Sequence, residues 1–391
     1  MGMRPQRVLL VGVVLLLALT GCRALFNRPP VALLRAGPTS GLAPLRVEFD
    51  GSESYDPDGR IVAFHWDFGD GVQTAGQKAT HIYHLPGTYR ASLTVRDDLG
   101  AEGRERVEIT VLEPSGEYHL LTSWGSWGVG EGELGHPRGI ALDGLGQVLV
   151  ADTGNHRIAL FTGEGEFLEN WGQYGAVPGR FSSPEGLAIS PPGEVYVLDP
   201  GNRRVQRLSS TGRPLGEWSI AGVNDPAGIA VGPDGSVYIT DRGQHLIHKF
   251  TGAGQPLARW GGEGSRRGQL SKPSGVAVAS DGSVYVADTG NHRVQRFDPS
   301  GIARDEWGGY GQGAGRFSRP TGLAIDRDGY LYVADSQNAR IQKFSPDGKL
   351  VDLWAVDGGD HPVFPIALAV DGSGQVYVLD FANSRVLKFG R

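Results

Sequence analysis

The 391-residue chain contains one cysteine, two methionines and no run of lysine or arginine. A single cysteine excludes an internal disulfide, so packing, with or without bound ions, must stabilise the fold. The net charge of −6 and the missing basic run exclude the electrostatic footprint of a nucleic-acid-binding protein. Few methionines beside 61 glycines argue against helical bundles and predict many short strands joined by tight turns.

The only long apolar run, Val8 to Leu19, follows Arg4 and Arg7 near the N-terminus. A bilayer-spanning helix needs about 20 apolar residues, so this shorter run predicts a secretory signal peptide over residues 1–21. Its removal would change the net charge to −6 − 2 = −8. An ordinary secreted protein is one interpretation of this pattern.

The sequence Leu19-Thr20-Gly21-Cys22 resembles the lipobox of bacterial lipoproteins. The resemblance implies that Cys22 is diacylated, becomes the first residue of the mature chain and anchors it to a membrane, with residues 22–29 as a tether. Arg23 stands where an aspartate would signal retention in the inner membrane. In a Gram-negative cell we therefore expect the outer membrane, on its periplasmic or surface side.

Residues 30–113 alternate apolar and polar side chains in short runs such as LRVEFD and YRASLTVRD, separated by Gly, Pro and Asp. This pattern predicts a small antiparallel β-sandwich. The sequences WDFGDG (66–71) and PGTY (86–89) resemble those of PKD domains, which are immunoglobulin-like sandwiches that serve as spacers or binding modules. We expect Trp66 to lie in the core, and residues 114–117 to form a short linker.

Five turn carboxylates of this segment are candidate calcium ligands, because Ca²⁺ prefers oxygen ligands and some PKD domains bind it. The other interpretation is that they accept turn hydrogen bonds or face solvent. The five are Asp56, Asp58, Asp67, Asp70 and Asp97.

Residues 118–391 contain six units in one register. Each unit opens with a proline, has an aspartate 15 positions later and, in the first five units, a tryptophan 19 positions after that. The prolines are Pro137, Pro184, Pro226, Pro273, Pro320 and Pro365. The sixth unit ends before its tryptophan, and EYHLLTSWG (117–125) supplies Trp124 at the other end. We therefore expect the first strand of this region to complete the last unit, which leaves no open sheet edge at the seam.

The shared motif, with P-x-G at its start and D-x-x-N-x-R after its second strand, is similar to the NHL repeat. The resemblance implies an all-β fold, a six-bladed β-propeller, over residues 118–391. Each blade would hold four antiparallel strands.

Loop lengths predict the functional face. The Trp-to-Pro intervals are 13, 13, 8, 13, 13 and 11 residues, starting from Trp124, whereas the rest of each unit does not vary. In a four-stranded blade this variable loop emerges on the same face as the D-x-x-N-x-R turn. We therefore expect ligands to bind on that face, around the mouth of the central channel.

The D-x-x-N-x-R residues look catalytic but recur in nearly every unit, and a reaction needs only one site. We interpret them as hydrogen-bonded turns. The third unit departs from the pattern, with Gln244 for Asn and Leu246 for Arg. A histidine follows the Asn position in three units, and three histidines can bind zinc; we expect exposed rim side chains rather than a metal site at His156, His245 and His292.

The residues after the six prolines should surround the channel mouth: Arg138, Glu185, Ala227, Ser274, Thr321 and Ile366. The long loops add aromatic and cationic side chains suited to a protein or glycan partner, or to packing within the loops: Trp127, Tyr174, Tyr310, Arg180 and Arg316. The sequence therefore favours a lipid-anchored envelope protein that binds a partner without catalysis. The alternatives are a structural role in envelope assembly and a propeller lyase or hydrolase with a metal in the channel.

Overall fold

The computed structural model describes residues 27–42, 45–83, 86–112, 117–356 and 362–391. The chain divides into two compact units, Met1–Ser115 and Gly116–Arg391. The predicted signal peptide, Cys22, the start of the tether and positions 114–116 of the predicted linker lie outside the described residues. Within the described ranges, no helix is long and apolar enough to cross a membrane.

The described residues of the first unit form eight β-strands, in the region where the alternation of apolar and polar residues predicted short strands. They are β1 (Arg35–Gly37), β2 (Ser40–Leu42), β3 (Leu45–Asp50), β4 (Ile61–Asp67), β5 (Gln73–Ala75), β6 (Lys78–Tyr83), β7 (Gly87–Asp97) and β8 (Glu102–Leu112). One sheet has the order β1-β3-β6 and the other β2-β8-β7-β4-β5. The alternation of β3, buried at every second residue, shows why its sequence LRVEFD covers a core on one face only.

Trp66 lies in the core of this unit, which confirms the sequence prediction. Its side chain is fully buried, its ring centroid lies 5.5 Å from that of Phe49, and its indole N–H donates to the Gly76 carbonyl at 2.7 Å. The indole therefore fills the core without leaving its donor unpaired.

The second unit consists of strands with almost identical spacing. They are β9 (His119–Trp124), β10 (Gly139–Leu142), β11 (Val148–Asp152), β12 (Arg157–Phe161), β13 (Phe167–Trp171), β14 (Leu187–Ile189), β15 (Val195–Asp199), β16 (Arg204–Leu208), β17 (Pro214–Ser219), β18 (Pro226–Val231), β19 (Val237–Asp241), β20 (Leu246–Phe250), β21 (Pro256–Gly261), β22 (Val276–Val278), β23 (Val284–Asp288), β24 (Arg293–Phe297), β25 (Ala303–Gly308), β26 (Pro320–Ile325), β27 (Leu331–Asp335), β28 (Arg340–Phe344), β29 (Leu350–Ala355), β30 (Pro365–Val370), β31 (Val376–Asp380) and β32 (Arg385–Gly390).

Among the described residues of this unit, these strands form six four-stranded antiparallel sheets. We number the sheets one to six in the order of their opening prolines. Sheets one to five each contain four consecutive strands, starting with β10-β11-β12-β13. Sheet six has the order β30-β31-β32-β9, with Trp124 opposite Val386. The earliest strand thus completes the last sheet, as the position of Trp124 predicted.

The first strands of neighbouring sheets lie side by side, and β10 of sheet one also contacts β30 of sheet six. This arrangement is that of a β-propeller, with the first strands around a central channel. The glycine of the P-x-G motif permits the close approach. A Cβ on Gly275 in sheet four would lie 2.1 Å from the Thr321 carbonyl oxygen of sheet five.

Short 3-10 turns follow the second strand in four sheets: Thr153–Asn155, Pro200–Asn202, Thr289–Asn291 and Ser336–Asn338. Each ends at a residue with a left-handed backbone, such as His292 with φ 56°. This corner reverses the chain in the space of a few residues and places the D-x-x-N-x-R side chains on one face.

Candidate functional site

The D-x-x-N-x-R motif forms a buried hydrogen-bonded turn. In sheet four, the Asp288 carboxylate is fully buried. It accepts hydrogen bonds from the Ser271 backbone N–H at 2.6 Å, the Asn291 amide at 2.9 Å and Arg293 Nε at 2.7 Å. Sheets one, two and five repeat the aspartate–arginine contact at 2.7, 2.9 and 2.7 Å, and sheet six at 3.0 Å. The structural interpretation of this motif is therefore confirmed.

The Asn and Arg side chains also hold the long loop that precedes their own sheet. Asn291 donates to the Gly264 carbonyl at 2.8 Å, and Arg293 donates to the Arg266 and Gln269 carbonyls at 3.0 and 2.9 Å. Loop and turn thus share one face, which we call the long-loop face. The repeated polar groups bind backbone rather than point into open space.

The short loop before sheet three accounts for the departure of this sheet from the motif. The loop from Trp218 to Pro226 is five residues shorter than the 13-residue loops, and Leu246 replaces the arginine that would hold the missing segment. Gln244 still donates to the Gly222 carbonyl and to Asp241, both at 2.8 Å. Loop length and the arginine therefore change together within one chain.

The three candidate zinc histidines do not meet. Each is half-buried rather than exposed, and each Nδ1 accepts a backbone N–H from the next sheet: His156 from Ser183 at 2.9 Å, His245 from Lys272 at 3.0 Å, and His292 from Arg319 at 3.0 Å. Over the described ranges, no three His, Cys, Asp or Glu side chains group as metal ligands. These histidines join neighbouring sheets, a role that the sequence analysis missed.

The six side chains that follow the prolines line one cavity of about 350 Å³ at the channel mouth on the long-loop face. Below them lies an aliphatic wall made by the first strands, which we call the throat. It consists of Ile140, Leu187, Ile229, Val276, Leu323 and Leu368. The cavity therefore combines a polar rim with an apolar floor.

The rim is charged on one side. Glu185 lies between two guanidinium groups, with Arg138 Nε at 3.8 Å and Arg242 Nη2 at 3.6 Å from its oxygens. Arg242 also binds Asp225 through two N–H groups, at 3.0 and 3.2 Å. The Arg138 guanidinium stands 5.3 Å from the centre of the Phe381 ring. We call Phe381, Arg138, Glu185 and Arg242 the charged arc.

The other side of the rim is occupied by hydroxyl groups that already have partners. Ser274 Oγ lies 2.6 Å from Thr289 Oγ1, and Thr321 Oγ1 donates to the Ile366 carbonyl at 2.9 Å. Ser274 Oγ also donates to the Thr321 carbonyl of sheet five at 3.3 Å, so these two predicted mouth residues line the cavity and join neighbouring sheets. The sequence analysis placed them correctly and missed that role.

Burial raises the pKa of Glu185, although Arg138 and Arg242 act in the opposite direction. The folded protein therefore holds this proton more tightly than the unfolded chain, and ionisation of Glu185 lowers the stability as the pH rises through its raised pKa. We expect Glu185→Gln to raise the thermal unfolding midpoint at pH 7 and to leave it unchanged well below 4.5, the ordinary glutamate value. Melting curves at pH 7 and pH 3.5 measure this; a destabilised variant at pH 7 would contradict it.

Three aromatic side chains project from equivalent positions of the long loops. Trp127, Tyr174 and Tyr310 are 65%, 67% and 76% exposed, and Glu263 takes the same position in the loop before sheet four. Each aromatic ring lies against a histidine, such as Tyr310 against His292 at 5.0 Å between centroids. Arg316 folds back and donates to the Gly308 carbonyl at 2.8 Å. Three large rings thus remain open to solvent on the long-loop face.

The five candidate calcium ligands separate into two groups at opposite ends of β4. Asp97 pairs with Ile61 at one end, whereas Asp67 pairs with Ser92 at the other. Asp70 is near Asp67 and contacts His81 at 2.6 Å. The predicted set of five cannot form one site, because an extended strand of seven residues separates its members.

Asp56, Asp58 and Asp97 share the other end, where residues 27 and 28 bind two of them. Asn27 donates to Asp97 at 2.7 Å, and the Arg28 backbone N–H donates to Asp58 at 3.1 Å. Asp56 Oδ2 is buried and has no hydrogen-bond partner in the described part of the chain. An orphaned carboxylate oxygen is compatible with a cation ligand.

Comparison with known families identifies both units. The PKD domain profile matches residues 27–111. The NHL repeat profile matches five segments: 134–161, 223–250, 270–297, 317–344 and 363–389. The chain carries a PKD domain and five NHL repeats. The segment from Pro184 to Trp218 is outside the five matches, although its spacing is the same.

Relatives of this NHL-repeat protein match it in different parts. The collagenase ColA of Clostridium perfringens is 41% identical over 87 residues, which cover 22% of this chain and 8% of the collagenase. A protein of unknown function from Bacteroides thetaiotaomicron covers 93% of this chain and 98% of its own, with 17% identity and a TM-score of 0.56. A gluconolactonase from Xanthomonas campestris covers 70% of this chain and 88% of its own, with 17% identity and a TM-score of 0.52. At such identities the two structures share the fold alone.

Proposed function

We propose that the six sheets are the blades of a closed six-bladed propeller that binds a partner on its long-loop face and does not catalyse a reaction. The contact between β10 and β30 supports closure, since it joins the first and last sheets.

The observation that carries this proposal is that the repeated polar side chains already have hydrogen-bond partners within the fold. Asp288, Asn291 and Arg293 hydrogen-bond to each other and to the backbone of the loop. The side chains left open on the same face are those that differ between the sheets, in the charged arc and in the long loops. Variation on a fixed scaffold is the usual arrangement of a binding surface.

The exposed rings of Trp127, Tyr174 and Tyr310 favour a protein or glycan partner, because large aromatic side chains dominate the energy of such interfaces. Three such rings around a charged mouth offer apolar contact area to a partner, and the charged groups of the mouth can select its polar groups. The mature net charge of −8 gives no reason to expect nucleic acid.

We place this propeller in the cell envelope, held by a lipid on Cys22 after removal of residues 1–21, on the outer membrane if the host is Gram-negative. The PKD domain then serves as a spacer from the membrane. This part rests on the lipobox-like sequence before Cys22. Cys22→Ala should abolish the incorporation of a labelled fatty acid into the protein, and absence of label in the parent protein, or equal label in the variant, would exclude the lipid anchor.

Crosslinked pull-down from intact envelopes tests the binding face. We expect the triple variant Trp127→Ala, Tyr174→Ala, Tyr310→Ala to capture at least about tenfold less partner. A variant shortened between Gly308 and Arg319 should show a loss of the same size. The reason is that truncation of one aromatic hot-spot residue costs about 1 kcal/mol or more of binding free energy.

The matched control changes three exposed aliphatic residues outside the long loops: Leu145→Ala, Leu215→Ala and Leu257→Ala. They lie in turns and outer strands away from the long-loop face. This variant should capture the partner as the parent does. Equal capture by both triple variants would overturn the assignment of the face.

We also propose that the PKD domain binds Ca²⁺ through Asp56, whose Oδ2 is orphaned; since no three carboxylates of the described residues group as metal ligands, backbone oxygens and water would complete the coordination. Binding of Ca²⁺ to the folded state at 100 times its Kd would stabilise it by about 2.7 kcal/mol. Calorimetric titration with Ca²⁺ should show one site, absent in Asp56→Asn and retained in Asp67→Asn. Absence of heat in the parent protein, or loss in both variants, would contradict the site.

A further inference from the structure

Two members of the charged arc, Arg242 and Phe381, occupy a position where sheets one, four and five have a hydroxyl residue and sheet two has Pro200. After the second-strand aspartate, Thr153 and Thr289 donate to the Pro184 and Pro320 carbonyls of the next sheet, at 2.6 and 2.7 Å. Sheets three and six have Arg242 and Phe381 at this position, and both line the mouth cavity. The fold therefore does not require the charge or the ring at these two positions.

Arg138 retains most of its hydrogen-bonding capacity. Among the described residues, its guanidinium makes no side-chain hydrogen bond: it faces the Phe381 ring at 5.3 Å and lies 3.8 Å from Glu185, beyond hydrogen-bond distance. Arg242, by contrast, binds Asp225 with two of its N–H groups. Arg138 is thus the cation of the arc that is ready to bind an anion, and it is only partly exposed, at 39% of its side chain.

Glu185 supplies the complementary group. Within the part of the chain that the structure describes, its carboxylate contacts the two guanidinium groups at 3.6 Å or more and accepts no hydrogen bond from either. It lines the same cavity as Arg138 and is largely buried, at 18% exposure. A ligand with a hydrogen-bond donor would find an acceptor here, next to a free guanidinium.

The throat below the arc is apolar. Ile140, Leu187 and Ile229 line it beneath Arg138 and Glu185, and Phe364 and Phe381 extend the apolar surface to the rim. Sugars present hydroxyl groups on most of their surface and would leave these groups without partners against such a wall. An aliphatic or aromatic side chain would gain free energy by entering it.

We propose that the mouth binds a carboxylate that is carried beside an apolar side chain and an N–H donor, which is the chemistry of an N-acylated amino acid or of a peptide's C-terminal residue. The carboxylate binds Arg138, since a guanidinium presents paired donors to two oxygens. The neighbouring amide N–H donates to Glu185, and the side chain enters the throat. This inference rests on the proposed binding function and names the chemistry that its mouth selects.

Calorimetric titration of the full chain with N-acetyl-L-leucine tests the site. N-acetylglycine should bind at least about tenfold more weakly, because it lacks the side chain that the throat buries. The methyl ester of N-acetyl-L-leucine should bind at least about tenfold more weakly, because it removes the charge that binds Arg138. Glucuronate, a carboxylate on a sugar, should not bind. Equal affinity for acid and ester, or binding of glucuronate alone, would overturn the proposal.

Two variants assign the effect to the arc. Arg138→Gln should lose at least about tenfold in affinity for N-acetyl-L-leucine while remaining fully folded at the temperature of the titration. Arg213→Gln is the matched control, because Arg213 lies in the turn between β16 and β17, away from the mouth. If Arg138→Gln binds as the parent does, the site is wrong.

A further arm distinguishes the two sources of this chemistry. N-acetyl-Ala-Ala-Leu should bind more tightly than N-acetyl-L-leucine if peptide C-termini are the ligand, and equally if free N-acylated amino acids are. Partner capture by the long-loop face is measured separately. Failure of every probe with aromatic-dependent capture intact would remove only the carboxylate site, whereas loss of aromatic-dependent capture removes the proposed function itself.

Discussion

Gly275→Ala is expected to destabilise the NHL-repeat unit by about 3 kcal/mol or more, at the upper end of what overpacking costs. The added Cβ would lie 2.1 Å from the Thr321 carbonyl oxygen and 3.0 Å from the Leu323 nitrogen. Both are backbone atoms of the neighbouring sheet, and the Gly275 N–H itself donates to that carbonyl at 2.9 Å. Relief of the clash would separate β22 from β26 and open the wall of the channel.

Gly216→Ala is the matched control for this variant. Gly216 lies in the outer strand β17, and a Cβ there would meet no atom within 4 Å. Since alanine costs less conformational entropy than glycine, this variant should be as stable as the parent or slightly more so. Urea unfolding of both variants measures the difference. Equal midpoints for the two would show that the first strands do not pack as closely as the structure places them.

Asp288→Asn is expected to destabilise the same unit by about 3 kcal/mol, because it removes the buried carboxylate that pairs with Arg293 Nε and leaves that guanidinium with the Glu306 carboxylate, at 2.8 Å from Nη1. Arg293 is only 11% exposed, and its Nε donates to Asp288 at 2.7 Å. The amide that replaces the carboxylate also turns a donor toward Asn291 and Gln295, which donate to the same oxygens.

Sheet three offers a control in which the buried aspartate has no arginine partner, with Gln244 and His248 in place of Asn291 and Gln295. Asp241 is equally buried and accepts hydrogen bonds from the Asn224, Asp225 and Gly243 backbone N–H groups, but Leu246 stands where the arginine would be. Asp241→Asn should therefore cost only about 1–3 kcal/mol, the cost of misdirected hydrogen bonds without an unpaired charge. Equal losses of stability in chemical denaturation would show that the arginine contributes nothing.

The sequence predicted most of the fold because one unit recurs in a fixed register. The intervals between Pro273, Asp288 and Trp307 mark the strands of one sheet, and their recurrence predicts the others. The seam at Trp124 followed from the same counting. The separation of Asp67 from Asp97 could not be predicted, because it depends on the antiparallel pairing of β4 with β7. The carboxylates in the turns give no sequence signal of that pairing.

The lining of the mouth was predicted in part. The positions after the prolines do line the mouth, but Arg242, Phe364 and Phe381 were missed. A signal existed for two of them: at the residue after each second-strand aspartate, Arg242 and Phe381 differ from the small residues of the other copies, Thr153, Pro200, Thr289 and Ser336. The coupling of Leu246 to the short loop was also visible in the sequence. The role of His292 as an acceptor for the next sheet was not, since it depends on a left-handed corner.

The central claim is that side chains repeated from sheet to sheet stabilise the fold, whereas side chains that differ between sheets bind the partner. The most direct test compares the thermal unfolding midpoints of two variants, each with one arginine replaced by leucine. Arg293→Leu reproduces the residue of sheet three beside a long loop, and it removes the guanidinium from Asp288 and from the Arg266 and Gln269 carbonyls. Its midpoint should fall by several degrees, since the loss is about 3 kcal/mol. Arg138→Leu should lower the midpoint much less, since its partly exposed ion pair with Glu185, at 3.8 Å, contributes at most about 1 kcal/mol. A fall of equal size for Arg138→Leu, or no fall for Arg293→Leu, would contradict that view.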